Sequence, residues 1–255
     1  MSFSNNKVCQ RRLAVHRLGF AVAALCFGLL GWSGAEAAER WSSTNLQLLY
    51  GDNYELGPKE RTILTLEHAS GWEYGDNFFF VDVTDFEDEG TSLYGELLSR
   101  LSLSKISGRK IGVGALSDVL LAGHLEFGEG VRTYLYGIGT NWDLPGFAFF
   151  KLDFYVRDEP DLRASPTWQI TPSWLLPFQI GPVKASLGGF VDFAGSQGER
   201  ESSIVGAPQL LVDIGNFWGA PDRLHAGIEY QFWRNKFGID GVDEDVVQLM
   251  LKWVL

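Results

Sequence analysis

After residue 26 the chain contains no cysteine; the two it has are Cys9 and Cys26. Disulfide staples and cysteine-ligated metal sites are therefore excluded downstream, and stability has to come from another form of closure. Long apolar runs are also missing after residue 30. Nothing there approaches about 18 consecutive apolar residues, so a membrane location would not be helical. Positive charge is scarce, with 21 Lys and Arg against 32 Asp and Glu and a net charge of −11, which argues against nucleic acid as a partner. Past residue 40, no stretch keeps a helical repeat through three turns.

What is present begins with a leader. Lys7, Arg11, Arg12 and Arg17 form a basic head, and Ala35-Glu36-Ala37 supplies the small residues a signal peptidase reads. Between them, Leu18 to Leu30 is uncharged and apolar but shorter than the roughly 20 residues of a spanning helix. Residues 1–37 are expected to be a cleaved signal peptide and residues 38–255 a single exported domain. Leu25 ahead of Cys26 argues against a lipoprotein. Without the leader, 17 basic residues face 31 acidic ones, a net charge of −14, and no cysteine remains.

From residue 40 onward short alternating segments are separated by Gly, Pro, Asn and Asp. Twelve strands are expected near residues 43–50, 61–70, 76–86, 94–104, 118–128, 131–142, 147–157, 166–175, 183–193, 207–214, 224–234 and 245–255. Most are roughly 10 residues long, enough for a tilted strand to cross a bilayer. The fold class is therefore all-β, a transmembrane antiparallel up-and-down β-barrel. Strand number fixes which face looks out: about eight strands already enclose a space that side chains just fill, so twelve are too many for an apolar plug.

The apolar face is then the outer one. Val247, Leu249, Leu251, Trp253 and Leu255 form that face on the last strand, opposite Gln248 and Lys252. Carried around the ring, the phase turns Phe150, Leu152, Phe154, Val156, Ile228, Tyr230 and Phe232 outward, and Glu229 and Gln231 inward. Tight turns such as Asp143-Leu-Pro-Gly146 and Gln179-Ile-Gly-Pro182 are assigned to the periplasmic side. Longer Gly-rich, acidic links at 51–60, 87–93, 158–165, 194–206 and 235–244 are assigned to the outside. Within them, Glu87-Asp-Glu89 and Asp243-Glu-Asp245 read as solvated loop, with divalent cations bridging lipopolysaccharide as the weaker alternative.

"LTLEHASGWEYGDNFFFVDV", "YGELLSRLSLSKISG", "LYGIGTNWDLPG" and "GIEYQFWRNKFGIDGVDEDVVQLMLKW" together resemble the Tsx family of nucleoside-specific outer-membrane channels, on its OmpK-like branch. The resemblance implies a monomeric twelve-strand barrel and a channel role without a cofactor. Nucleosides or deoxynucleosides are the implied solutes, and phage the implied occasional users of the outer loops. The outer-membrane assembly machinery would meet the C-terminal strand through Trp253 and its apolar alternation.

Under the assigned phase the lumen receives Glu67, Asp82, Glu96, Glu126, Asp153, Asp192, Asp213 and Glu229 against Arg100, Lys151, Arg157, Lys184 and Lys252. Aromatic rings for a base and polar groups for a ribose are what a nucleoside needs. Phe78, Phe80 and Asp82 combine both on one strand, with Tyr155 and Phe190 as further inward rings. Glu96 and Arg100 are about 13 Å apart along their strand, so each must find a cross-strand partner.

Two other functions fit parts of the pattern. His68 and Ser70 stand at i, i+2 on the outer face, the spacing by which a barrel lipid hydrolase sets a base beside a nucleophile. They sit at the periplasmic edge, Ser70-Gly71 is expected to open a turn lasting to Asp76, and no orienting acid can be named, so no enzyme is expected. A structural or adhesive barrel would instead be marked by a lumen closed by its own side chains.

Overall fold

The structure is a computed structural model that describes residues 41–86 and 90–255. Glu87-Asp-Glu89 and the leader lie outside the described residues. The alternating segments form β1 (Trp41–Gly51), β2 (Arg61–Trp72), β3 (Gly75–Phe86), β4 (Gly90–Ser102), β5 (Leu116–Gly128) and β6 (Val131–Trp142). They continue as β7 (Phe149–Asp158), β8 (Thr167–Ile180), β9 (Val183–Ala194), β10 (Ser203–Gly206), β11 (Gln209–Asp213), β12 (Leu224–Arg234) and β13 (Glu244–Val254). Each pairs antiparallel with its neighbours, and β13 bonds both β12 and β1, which closes the ring. Closure leaves no free edge, the stability device that a chain without disulfides requires.

Thirteen segments occupy twelve wall positions, because β10 and β11 both lie between β9 and β12. The expected strand 207–214 is corrected accordingly. Its wall position begins at Ser203 and is broken at Ala207-Pro208, where proline has no N–H to give to the ladder. Gly189 of β9, at φ +138°, lies against the break, and a Cβ there would meet the Ala207 carbonyl oxygen at 2.5 Å. A second correction concerns the expected turn from Ser70 to Asp76. Ser70, Gly71 and Trp72 still pair with Asn77, Asp76 and Gly75, leaving only Glu73 and Tyr74 in the turn; Asp76, the first residue of the expected strand 76–86, lies within the wall.

Connections at the end where β1 starts and β13 stops, the terminus end of the wall, are not uniformly short. Residues 103–115 include a helical turn, Leu103–Ser107, capped by the Ser102 hydroxyl accepting from Lys105 N. Residues 214–223 fold around Asp213, which accepts from the amides of Asn216 and Asp222 at 3.1 and 2.9 Å. At the opposite end β5 and β6 are joined by Glu129-Gly130 alone.

The two faces of the wall are inverted relative to a soluble protein. Leu64, Leu97, Leu121, Ile138, Phe154, Leu249 and Trp253 point outward and are exposed. Arg100, Glu126, Asp153, Gln169, Glu229 and Gln248 point inward and are buried. Rings including Trp41 and Tyr74 at one end and Tyr134, Tyr136 and Trp168 at the other are also exposed, as in the aromatic girdles of membrane barrels. An apolar exterior around an interior that is polar apart from small apolar clusters such as Leu49, Leu211 and Met250 suits hydrocarbon outside and polar contacts inside.

Candidate functional site: the lumen

The inward polar and aromatic side chains form three groups, with Leu49, Leu211 and Met250 packed together among them. The first is a belt nearer the terminus end. Arg100 of β4, with 0% of its side chain exposed, grips Asp76 of β3 through Nε and Nη2 at 2.9 and 2.8 Å. Its Nη1 donates to Asp153 Oδ1 of β7 at 3.1 Å. To reach β7 the guanidinium passes over Gly139 of β6, where a Cβ would stand 2.6 Å from Asp153 Oδ1 and 3.4 Å from Arg100 Nη1. Lys151 Nζ is 3.6 Å from Asp76 Oδ1, and the Tyr155 hydroxyl donates to Asp153 Oδ2 at 3.1 Å. Two carboxylates thus meet two cations, which offsets the cost of burying them.

The second group lies on β3, β4, β5 and β7–β9. Phe78 and Phe80 have ring centroids 6.1 Å apart, and Phe80 and Tyr94 are 5.9 Å apart, giving a continuous run of rings along the inner wall. Asp82 pairs in register with Tyr94, and Glu96 with Phe80, so carboxylates flank that run. Asp82 accepts from the Thr65 hydroxyl. Glu96 accepts from the Tyr94 hydroxyl at 2.7 Å and from His124 Nε2 at 2.9 Å. Arg157 holds Glu126 through both Nη atoms at 2.6 and 2.9 Å and Gln169 at 2.7 Å, and extends to Glu159, which also binds Arg200. Asp192 of β9 accepts from the Thr171 hydroxyl, and Phe190 shares its face, opposite Ser173. Lys184 pairs with Gln179 at the terminus end of the wall, away from the ring run.

The third group spans β1, β2 and β11–β13 and receives side chains from the loops. Glu67 accepts from Asn45 Nδ2 and Lys252 Nζ at 2.8 and 3.0 Å. Glu229 accepts from Gln209 and Gln248 at 2.7 and 2.8 Å. The Tyr54 hydroxyl, carried by the 52–60 loop, donates to Gln248 Oε1 at 2.6 Å. Glu244 at the start of β13 accepts from the Glu55 amide, Gln231 Nε2 and Lys236 Nζ at 2.7, 2.7 and 2.5 Å. Burial pushes the Tyr54 hydroxyl above its ordinary range; Arg61 opposes the shift, and the charges of Glu229, Glu244 and Asp82 add to it. Burial likewise pulls the Lys236 ammonium down, against Glu244. Asp243 and Asp245, the other acids of that cluster, turn to Asn235 and Arg234 instead.

All eleven side chains singled out in the sequence, Phe78, Phe80, Asp82, Glu67, Glu96, Arg100, Lys151, Asp153, Tyr155, Phe190 and Glu229, lie on the inward face. They fall into the three groups above rather than one site. Glu96 and Arg100 turn to different partners, His124 and the Asp76–Asp153 pair. Asp76, Tyr94 and His124 were not singled out. Asp76 continues the alternation of Phe78, Phe80 and Asp82, a signal hidden by placing the turn too late. Tyr54 and Lys236 sit in loops, where alternation carries no information.

The His68–Ser70 pair stands apart, on the outer face. His68 Nδ1 is hydrogen bonded to Thr44 Oγ1 at 2.7 Å, and the ring stacks on Phe79 with centroids 5.4 Å apart. Ser70 is buried between its wall neighbours. That geometry explains the histidine without a nucleophile.

A closed twelve-strand ring, apolar outside and ionic within, defines the class of outer-membrane barrels. Residues 38–250 match the family described as nucleoside-specific channel-forming protein, Tsx, and the chain belongs to that family. It is accordingly an outer-membrane channel-forming barrel. No curated protein matches it. Among solved structures, a bacterial polysaccharide outer membrane secretin is similar at 9% identity and a TM-score of 0.40, over 86% of this chain and 99% of that one. The outer membrane protein Omp33 of Acinetobacter baumannii is similar at 10% identity and 0.40, over 86% and 100%. The translocator domain of the autotransporter NalP from Neisseria meningitidis is similar at 12% and 0.30, over 96% and 97%.

Proposed function

We propose that the protein, exported by its leader, passes nucleosides through the outer membrane by facilitated diffusion, with Phe78, Phe80 and Tyr94 as the surface on which the base slides. The observation that carries this is the unbroken run of three rings beside Asp82. A base has a π-face for each ring in turn, and a ribose hydroxyl is a donor for a carboxylate. Asp82, Asp192 and Glu229 suit that second task, since the hydrogen bonds they accept come from Thr65, Thr171, Gln209 and Gln248, all neutral donors. Stacking contributes about 1–3 kcal/mol per base. Such a contact guides a solute without trapping it, as conduction requires. The Arg100 belt and the Arg157 lattice hold the wall in shape, and the loops at the far end face the cell exterior.

Liposome swelling tests this. Adenosine is expected to enter faster than a sugar of similar size, and equal rates would remove the case for nucleosides while leaving a channel. A barrel with a structural role is favoured by a different observation, the near-zero exposure of Arg100, Gln169, Glu244 and Gln248. On that alternative neither solute enters, and no ionic conductance is measured in planar bilayers.

A further inference from the structure

Tyr54 is a loop residue with 1% of its surface exposed. The loop that carries it is wound tightly, with Asn53 and Leu56 in the left-handed region at φ 68° and 62°. Tyr54 N donates to the Lys59 carbonyl at 3.1 Å. Arg61, at the top of β2, ties the loop together from within, donating to the carbonyls of Pro58 and Leu56 at 3.3 and 3.0 Å. Its guanidinium lies 4.3 Å from the centre of the Tyr54 ring. This stitching makes the loop a compact unit that presents one aromatic side chain.

That side chain turns inward onto the wall. Gln248, whose oxygen accepts from the Tyr54 hydroxyl, is an inward residue of β13 four positions in from the end of the strand. Gln248 is also the register partner of Gly51, the last residue of β1, so the ring lies level with the end of that strand. The ring edge also lies 3.3 Å from where a Cβ of Gly51 would stand, on the inner face of β1. From Gln248 the hydrogen bonds continue to Glu229 and Gln209, across three wall positions. At the rim, Glu244 fixes the loop through the Glu55 amide and also holds Lys236 of the 235–243 loop, whose Nζ lies 6.0 Å from the centre of the Tyr54 ring. A ring placed beside the wall by this many contacts takes up cross-section that the twelve-strand ring would otherwise leave to solute.

We propose that Tyr54 is the constriction of this channel, setting the size of the solute that passes, with Gln248 and Glu244 as the positioning residues that hold it in the bore. The proposal rests on the protein conducting solutes, though not on those solutes being nucleosides. Covered by Arg61 and the inner wall, the ring fills space at the mouth that a bulkier solute would need. Tyr54→Phe keeps the ring and loses the bond to Gln248, while Tyr54→Ala removes the ring.

The test is planar-bilayer conductance in potassium chloride together with liposome swelling over a sugar series from pentose to trisaccharide. Wild type, Tyr54→Ala and Tyr54→Phe are compared, each first shown to be folded by its heat-modifiable gel mobility. Tyr54→Ala is expected to conduct at least two-fold more than wild type and to admit a sugar that wild type excludes. Tyr54→Phe, which keeps the ring but frees it from Gln248, should widen the limit less than Tyr54→Ala does. Equal conductance and equal size limits in wild type and Tyr54→Ala would overturn the proposal, as would silence of all three proteins, which would remove the channel as well. Swelling that does not distinguish adenosine from a sugar, combined with a wider limit in Tyr54→Ala, would remove the nucleoside reading and support the constriction.

Discussion

The belt around Arg100 and the mouth around Glu244 are both buried ionic clusters in one bore, but they are built from different material. In the belt every member, Asp76, Arg100, Lys151, Asp153 and Tyr155, is a wall residue on β3, β4 or β7. In the mouth the wall supplies Glu244, Gln231 and Gln248, while Tyr54, Glu55 and Lys236 arrive on loops. Wall positions are fixed by the ladder, so the belt is as stable as the barrel. Loop positions are fixed by the contacts themselves, so the mouth can loosen while the barrel stays whole. One cluster is built wholly into the wall; the other ties two loops to it.

The sharpest way to break that contrast is to remove the centre of each cluster. Arg100→Met leaves Asp76 and Asp153 buried without their shared cation, and breaking a buried pair in this way costs about 3–5 kcal/mol. The urea midpoint of unfolding in lipid vesicles should fall accordingly. Gly139→Ala attacks the same belt more gently, since a methyl would stand 2.6 Å from Asp153 Oδ1 and push it away from Arg100; a loss of about 1–3 kcal/mol is expected by the same measurement. Glu244→Gln should leave that midpoint close to wild type. Its signature is faster amide hydrogen exchange confined to residues 52–60 and 235–243, and a matching fall in the global midpoint would show that the mouth is not separable from the wall.

The same division decides what could be read from sequence. Strand after strand, alternation told the two faces of the wall apart, because one face meets hydrocarbon and the other meets polar neighbours; Lys151, Asp153, Tyr155 and Arg157 are the clearest case. Failures came where alternation is interrupted. At Ala207-Pro208 the ladder lapses for two residues, so Ser203–Gly206 reads as loop. Around Gly71 and Gly75 the glycines signal a long turn, although both still pair across the hairpin, and Asp76 was lost from the belt with them. Gly139 carries no side chain to read; its role depends on Arg100 passing over it. Tyr54 belongs to a segment with no periodicity, and only the folded loop shows that its ring goes inward.

The smallest effect expected is at the outer face. His68→Ala and Ser70→Ala should not alter acyl release from phospholipid vesicles, because His68 is engaged by Thr44 and Phe79 rather than by Ser70. Release present in wild type and absent in Ser70→Ala would revive a hydrolase.

The central claim is that the ring run on β3 and β4 guides a base through the bore, and single-channel recording with adenosine tests it most directly. Adenosine is expected to interrupt the current of the wild-type channel in a concentration-dependent way. In Phe80→Ala, which breaks the run at its middle ring, the concentration giving half-block should rise by about 5-fold to 100-fold, the equivalent of about 1–3 kcal/mol of stacking, with the open-channel current retained. Equal block in the two proteins, or no block in wild type, would contradict it.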